Sequence, residues 1–237
     1  DQISSPFGTG FEGLSRLTLA LRARGVSVGV NHEQLEPFLA GFCAPGHVLV
    51  LGIPWKQRYA AAEREAVRRC LAVGSGVLVL VEHDDIYGHA TIQNELIEPF
   101  GIRALPVSSI AASKSDDPFD VEWPWARADR LGIRAARVFL PAPLELSSRA
   151  RPLLELLRPA VAEHAVVGAL TTEAGGPLVV LGELEIFWNM TPDAGLRAGE
   201  NLELTLALFA LLAGRDVSLP DGPAKLTPPG AWGRGSR

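Results

Sequence analysis

Residues 77–101 read VLVLVEHDDIYGHATIQNELIEPFG, and the interpretation of the whole chain turns on them. The run 77–81 is short, apolar and rich in β-branched residues, as expected of a strand buried on both faces. It breaks into Glu82-His83-Asp84-Asp85, four titratable groups in a row, with Tyr87, Gly88 and His89 close behind. Residues 91–100 then take up helical spacing, with Ile92, Leu96 and Ile97 on one side and Gly101 as a stop. In an open α/β sheet, ligands bind beyond the carboxyl ends of the strands. A polar cluster in that place predicts a site.

The flanking sequence continues the alternation. Spacing predicts helices over 11–24, 33–42 and 60–73, and strands over 26–30 and 47–53. Strands and helices alternating at this interval imply right-handed crossovers. The fold expected is α/β, an open, mainly parallel sheet with helices on both faces. The pattern weakens over 103–146, a possible β insertion in which 108–120 reads as a polar surface loop. Trp123-Pro124-Trp125 and 137–140 suggest strands of a small added β element. Leu153, Leu154 and Leu157 give 147–159 helical spacing. The runs 165–172 and 177–181, joined by Glu173-Ala174-Gly175-Gly176, predict an antiparallel hairpin near the C-terminus. A strongly apolar helix over 198–213 completes a single domain, 1–218, and the Pro/Gly-rich stretch 219–237 reads as an irregular tail.

A chain of 237 residues can bury a large core. A net charge of −5 without a basic run argues against nucleic acid as a partner. No apolar run approaches the roughly 20 residues that a membrane span requires. Cys43 and Cys70 form no CxxC pair; Cys70 reads as a small buried apolar residue, and spacing leaves pairing open. A start at Asp1 fits removal of a signal peptide or anchor, an extracytoplasmic or membrane-associated location.

A parallel sheet would bring Asn31 and His32, Trp55 and Lys56, and the group from Glu82 to Asp85 out on one edge. His89 at the next helix start, Glu183 and Glu185 beyond 181, Asn189, and Ser4 and Ser5 near the N-terminus could join them. A shared ligand would explain why these positions are polar together. Their sharpest chemistry is a divalent metal held by His83, Asp84 or Asp85, and His89, with Glu183 or Glu185 completing the shell. The competing use is local, with Glu82 and Asp84 solvated or capping a turn and His89 bonded to backbone. Glu183 and Glu185 would share one face of an extended segment, and a solvated strand edge is the ordinary place for such a pair. Asn201 suits a capping bond, and Trp55 and Trp188 suit core packing or a pocket wall. No nucleophile elbow or phosphate loop is present: Ser75 between Gly74 and Gly76 precedes its strand.

Several short motifs together carry a family resemblance. They are Ser5-Pro6-Phe7, Gly13-Leu14-Ser15, a strand ending at Pro54, Gly74-Ser75-Gly76, Asn94-Glu95-Leu96 with Phe100-Gly101-Ile102, and Leu181-Gly182-Glu183 with Asn189 and Asn201-Leu202. Over roughly 4–214 their order resembles the class I glutamine-amidotransferase-like superfamily. The branch is that of bacterial membrane-associated proteins related to the gliding-motility auxiliary components of ABC transporters. The resemblance implies a flavodoxin-like fold. It also implies that 77–81 would lead into a nucleophilic cysteine, where this chain has Glu82-His83-Asp84. The function expected is therefore non-hydrolytic: binding of a small polar ligand or a partner protein at the sheet's carboxyl edge, in a membrane-associated or multi-protein assembly. The residues themselves leave two alternatives, a metal-dependent or general acid–base hydrolase using His83, Asp84, His89 and Glu183, or a structural subunit.

Overall fold

The computed structural model describes residues 6–10, 12–32, 34–52, 58–107, 124–159, 164–190 and 194–215. The expected loop at 108–120, the tail at 219–237, and Ser4, Ser5, Trp55 and Lys56 lie outside the described residues. In chain order the elements are α1 (Ser15–Arg22), α2 (Leu35–Phe42), β1 (Val48–Leu51), α3 (Ala61–Ala72), β2 (Gly76–Leu80), α4 (His89–Ile97), β3 (Ile102–Ala104), β4 (Trp125–Ala128), β5 (Ile133–Arg137), β6 (Leu144–Leu146), β7 (Arg151–Leu156), β8 (Val166–Thr171), β9 (Leu178–Leu181) and α5 (Asn201–Leu212).

Seven strands make one sheet in the order β1-β2-β9-β8-β7-β4-β5, and β3 and β6 form a separate antiparallel pair. Only β1 with β2 and β2 with β9 run parallel; the other four pairings are antiparallel. The expectation of an open, mainly parallel sheet with helices on both faces is thereby corrected. The sheet is mixed and strongly curled, a half-barrel with few helices. The hairpin joining β8 to β9 is where the direction turns: Gly175 there has φ +107°, a left-handed backbone that glycine adopts without a Cβ clash. From that point outward each neighbour reverses.

Side-chain alternation divides the interior in two. Leu78 and Leu80 of β2 face a core with Leu17 and Leu21 of α1 and Leu204 and Leu208 of α5. Val77 and Val79 face the other side, with Leu39, Val67, Leu71 and Leu96 from α2, α3 and α4. The antiparallel wing behaves differently. Ala126, Ala128, Ile133, Ala136, Leu154 and Leu156 point into the first core, whereas Trp125, Arg127, Arg134 and Leu157 are exposed on the outside. One buried and one solvated face is how antiparallel strands ordinarily sit.

Two local expectations also change. Leu153 and Leu154 lie on strand β7, not a helix, and Leu157 lies just past its end; register irregularities around Pro152 to Glu155 set Leu153 and Leu154 inward in succession and imitate helical spacing. The stretch 26–30 is assigned no strand, although Val26 and Val28 pack against the core. Cys70, fully buried, is bonded to Cys43 as a disulfide, with Cα atoms 5.0 Å apart, so it is more than an apolar filler.

Candidate functional site

Strands β2 and β9 are parallel neighbours, with Leu80 opposite Leu181 and the Val81 N–H donating to the Leu181 carbonyl at 2.8 Å. Their chains therefore leave the sheet side by side, one into Glu82 and the other through Gly182 into Glu183 and Glu185. Gly182 is required by close approach, since a Cβ there would collide with the Ala142 carbonyl. All three carboxyls are buried, Glu183 to 1% exposure. The ordinary solvated place for Glu183 and Glu185 is thus corrected: both sit inside.

Glu183 Oε2 accepts the Phe139 N–H at 2.9 Å, and its carboxyl also pairs with that of Glu185, a contact that requires a proton on one of them. Glu185 Oε2 accepts the Leu184 N–H at 3.2 Å. Burial pushes Glu82 up to about 9, with the Glu185 charge adding to it. Burial also holds Glu183 well above the usual carboxylate range; Glu185 and Glu82 reinforce this and the Phe139 N–H opposes it. Near neutral pH Glu82 therefore retains its proton, and a neutral carboxyl can donate as well as accept.

His83 links this interior to solvent. Its Nδ1 lies 2.8 Å from Asp84 Oδ2, its Nε2 lies 3.9 Å from Glu82 Oε2, and Asp84 is more than half exposed. Asp84 and Asp85 both hold left-handed backbones, φ 52° and 49°, which aspartate tolerates better than most residues. Asp85 serves the next helix: Oδ1 accepts the Thr91 N–H at 2.9 Å and Oδ2 the Thr91 hydroxyl at 2.7 Å, satisfying an orphan donor in the first turn of α4. The capping expected of Glu82 or Asp84 falls to Asp85.

Helix α4 adds His89 and Gln93, one turn apart and both buried. Burial lowers the His89 pKa, partly countered by the Asp85 charge, so the imidazole is neutral. Gln93 Nε2 donates to the Gly52 and Leu80 carbonyls at 2.9 and 3.1 Å, tying together the carboxyl ends of β1 and β2. Nearby, burial raises the Tyr59 hydroxyl to about 12. Gln93 and Tyr59 belong to this edge without having been singled out in the sequence. The signal for Gln93 was its place four residues after His89 on a face otherwise lined by Ile92, Leu96 and Ile97.

The remaining expected residues have other work. Asn189 ties the N-terminal loop down: Nδ2 donates to the Gly8 and Gly10 carbonyls and to Ser15 Oγ at 2.9, 3.1 and 3.0 Å, and Oδ1 accepts the Arg16 N–H at 3.0 Å. Asn201 similarly clamps Arg137 through both its backbone groups. Asn31 is half-buried and His32 exposed, and no strand delivers them to the edge. Among the described residues, no three His, Cys, Asp or Glu side chains gather in an arrangement that could hold a metal ion, so His83, Asp85 and His89 are not brought together as a ligand set. No helix among these residues is long and apolar enough to cross a membrane.

Comparison with known families finds no match, and none of the curated proteins matches the chain. Solved structures do. The fold resembles the mmIFT52 N-terminal domain at a TM-score of 0.62 and 19% identity, covering 85% of this chain and 92% of that one. It also resembles a cytoplasmic protein from Salmonella typhimurium, at 0.52 and 12%, covering 81% and 85%. A third is part of the cold-adapted β-galactosidase from Rahnella sp. R3, at 0.53 and 13%, covering 84% of this chain but 27% of the enzyme. At such identities the likeness is one of fold alone. Together with the mixed, curled sheet it overturns the resemblance to a glutamine-amidotransferase-like fold. Several motif residues behind that resemblance, Asn94, Asn189 and Asn201, clamp backbone groups of distant segments. Clamps of this kind are not confined to one fold. The chain is a mixed-sheet domain with the architecture of the mmIFT52 N-terminal domain.

Proposed function

We propose that this domain is a non-hydrolytic binding module, which receives a small polar ligand or a polar group of a partner protein at the carboxyl edge of β2 and β9, within a multi-protein assembly. One observation carries the reading: Glu82, Glu183 and Glu185 are buried together at two adjacent strand ends. Burying carboxyls this way costs stability that leucine or glutamine would not, so three of them at one place support a role at the site. A protonated Glu82 beside His83 offers a donor and an acceptor to an amide, hydroxyl or carboxylate.

The test is a thermal-shift panel of free amino acids, dicarboxylic acids and monosaccharides, run on the wild type and on Glu82→Gln and Glu183→Gln. A compound that raises the wild-type midpoint and loses that effect in the variants supports the proposal. Equal shifts in all three proteins, or none, would sink it. The general acid–base reading draws on the contact of His83 with Asp84 beside a protonated Glu82. It would be favoured by turnover of p-nitrophenyl acetate that disappears in His83→Ala.

A further inference from the structure

A second surface lies apart from the carboxylate edge. Residues 124–159 contain seven arginines, no lysine and three carboxylates, a net of +4 inside a chain of −5, which leaves the remainder at −9. The outer face of β4, β5 and β7 sets three of these arginines, Arg127, Arg134 and Arg137, around two exposed apolar side chains. Trp125 is 39% exposed and Leu157 46%. They lie abreast, since the Leu157 N–H donates to the Trp125 carbonyl at 2.8 Å. On the other side Arg137 pairs with Trp125 in register and sets its guanidinium over the indole at 4.5 Å. Arg127 and Arg134 are exposed one step further along; Arg127 lies 3.6 Å from Asp129 and 3.8 Å from Glu155.

The edge beside this face is already closed. Glu200 Oε2 accepts the Arg134 and Ala135 N–H groups at 2.6 and 2.8 Å, and Asn201 takes both backbone groups of Arg137. A partner therefore cannot add a strand to β5 and must dock on side chains. Tryptophan and arginine with an adjacent leucine make the composition of a protein-interface centre.

We propose that this face docks an acidic, apolar-containing segment of a protein partner, with an apolar side chain between Trp125 and Leu157 and carboxylates on Arg134 and Arg137. Charge complementarity selects the occupant: guanidinium forks match carboxylates in pairs, and the surface supplies forks without a single lysine. Asp129 and Glu155 within the patch engage Arg127, which leaves Arg134 and Arg137 to meet the partner, two charges beside an apolar pair rather than the run of cations a polyphosphate backbone needs.

The test uses fluorescence anisotropy of a labelled peptide of alternating glutamate and leucine, with a lysine–leucine peptide and an oligothymidylate of equal length as competitors of other chemistry. The glutamate–leucine peptide should bind with strong salt dependence, and the lysine–leucine peptide should not. An Arg134→Glu, Arg137→Glu double variant and, separately, Trp125→Ala should each weaken binding on the order of tenfold or more. Leu19→Ser, on an exposed residue elsewhere, should leave it unchanged. Circular dichroism of the charge-reversed variant keeps the reading independent of folding. Absent binding, equal binding by the charge-reversed variant, or tighter binding of the oligothymidylate would overturn the proposal. So would self-association that charge reversal abolishes, since the acidic remainder of a second copy would then be the occupant.

Discussion

Glu183 accepts the Phe139 N–H at 2.9 Å with one carboxyl oxygen and is buried against the carboxyl of Glu185. The geometry suits a protonated acid and penalises an ionised one. Its consequence is a stability that falls with pH. Glu82 is raised from 4.5 to about 9 and Glu183 is raised as well, so above the unfolded value the unfolded chain has released protons that the native state keeps. Stability should be greatest below about pH 4.5 as far as these groups decide it. It should then decline as pH rises toward 9, at up to roughly 1.4 kcal/mol per pH unit for one such group. Glu82→Gln should flatten that decline and raise the urea midpoint near pH 8. A variant as steeply pH-dependent as the wild type would show that Glu82 ionises normally.

Glu183→Gln and Glu183→Ala separate charge from hydrogen bonding. The amide keeps an acceptor for the Phe139 N–H, so the glutamine variant should match or exceed wild-type stability at pH 8. The alanine variant strands that N–H and leaves a void, at a cost of about 1–3 kcal/mol. Urea denaturation at one pH distinguishes them; equal losses would mean that the bond to Phe139 contributes nothing.

Asn189 fastens the segment Gly8 to Arg16 through four hydrogen bonds made by one side chain. Asn189→Ala should cost about 1–2 kcal/mol, because a buried side chain and its four partly buried hydrogen bonds are lost together. It should also speed proteolytic cleavage between Gly8 and Gly13 well before global unfolding. Cleavage at the wild-type rate would show that the loop holds itself.

What the sequence disclosed follows from the range of the forces involved. The strand at 77–81, the hairpin around Gly175 and the apolar helix ending near Leu212 are set by local pattern, and each is found. The direction of the outer strands is not local. Nothing near Trp125 or Arg151 records that β4 and β7 run antiparallel to their neighbours, and the bulge at β7 disguises its leucines as a helix face. The Glu82 group was legible because four titratable residues follow an apolar run. The burial of Glu183 and Glu185 was not, because it depends on Ala142 and Phe139 arriving from a distant stretch.

Asp84 and Asp85 share a left-handed turn but differ in what they hold. Asp85 caps α4 through Thr91, whereas Asp84 projects into solvent beside His83. Asp85→Ala should cost about 1–2 kcal/mol, through loss of the cap and through the strain of alanine at φ 49°. Asp84→Gly should be neutral or slightly stabilising in native geometry, since glycine takes φ near 52° without strain. Thermal melting of both variants at one pH checks the contrast, and equal losses would mean the turn rather than the cap sets the stability of α4.

The Cys43–Cys70 bond ties the end of α2 to α3 across a sequence separation of 27. Closing a loop of that length restricts the unfolded chain, worth about 3.5 kcal/mol in the chain-entropy account. α2 packs against the rest through Leu39 and the partly buried Leu35, Phe38 and Phe42, a small contact for a whole helix. Reduction should therefore loosen α2 locally as well as lower the melting temperature by several degrees. Hydrogen exchange on the reduced protein should show 35–42 losing protection first while β2 and β9 stay protected. Unchanged exchange over 35–42 after mass spectrometry confirms full reduction would mean that packing alone holds this helix.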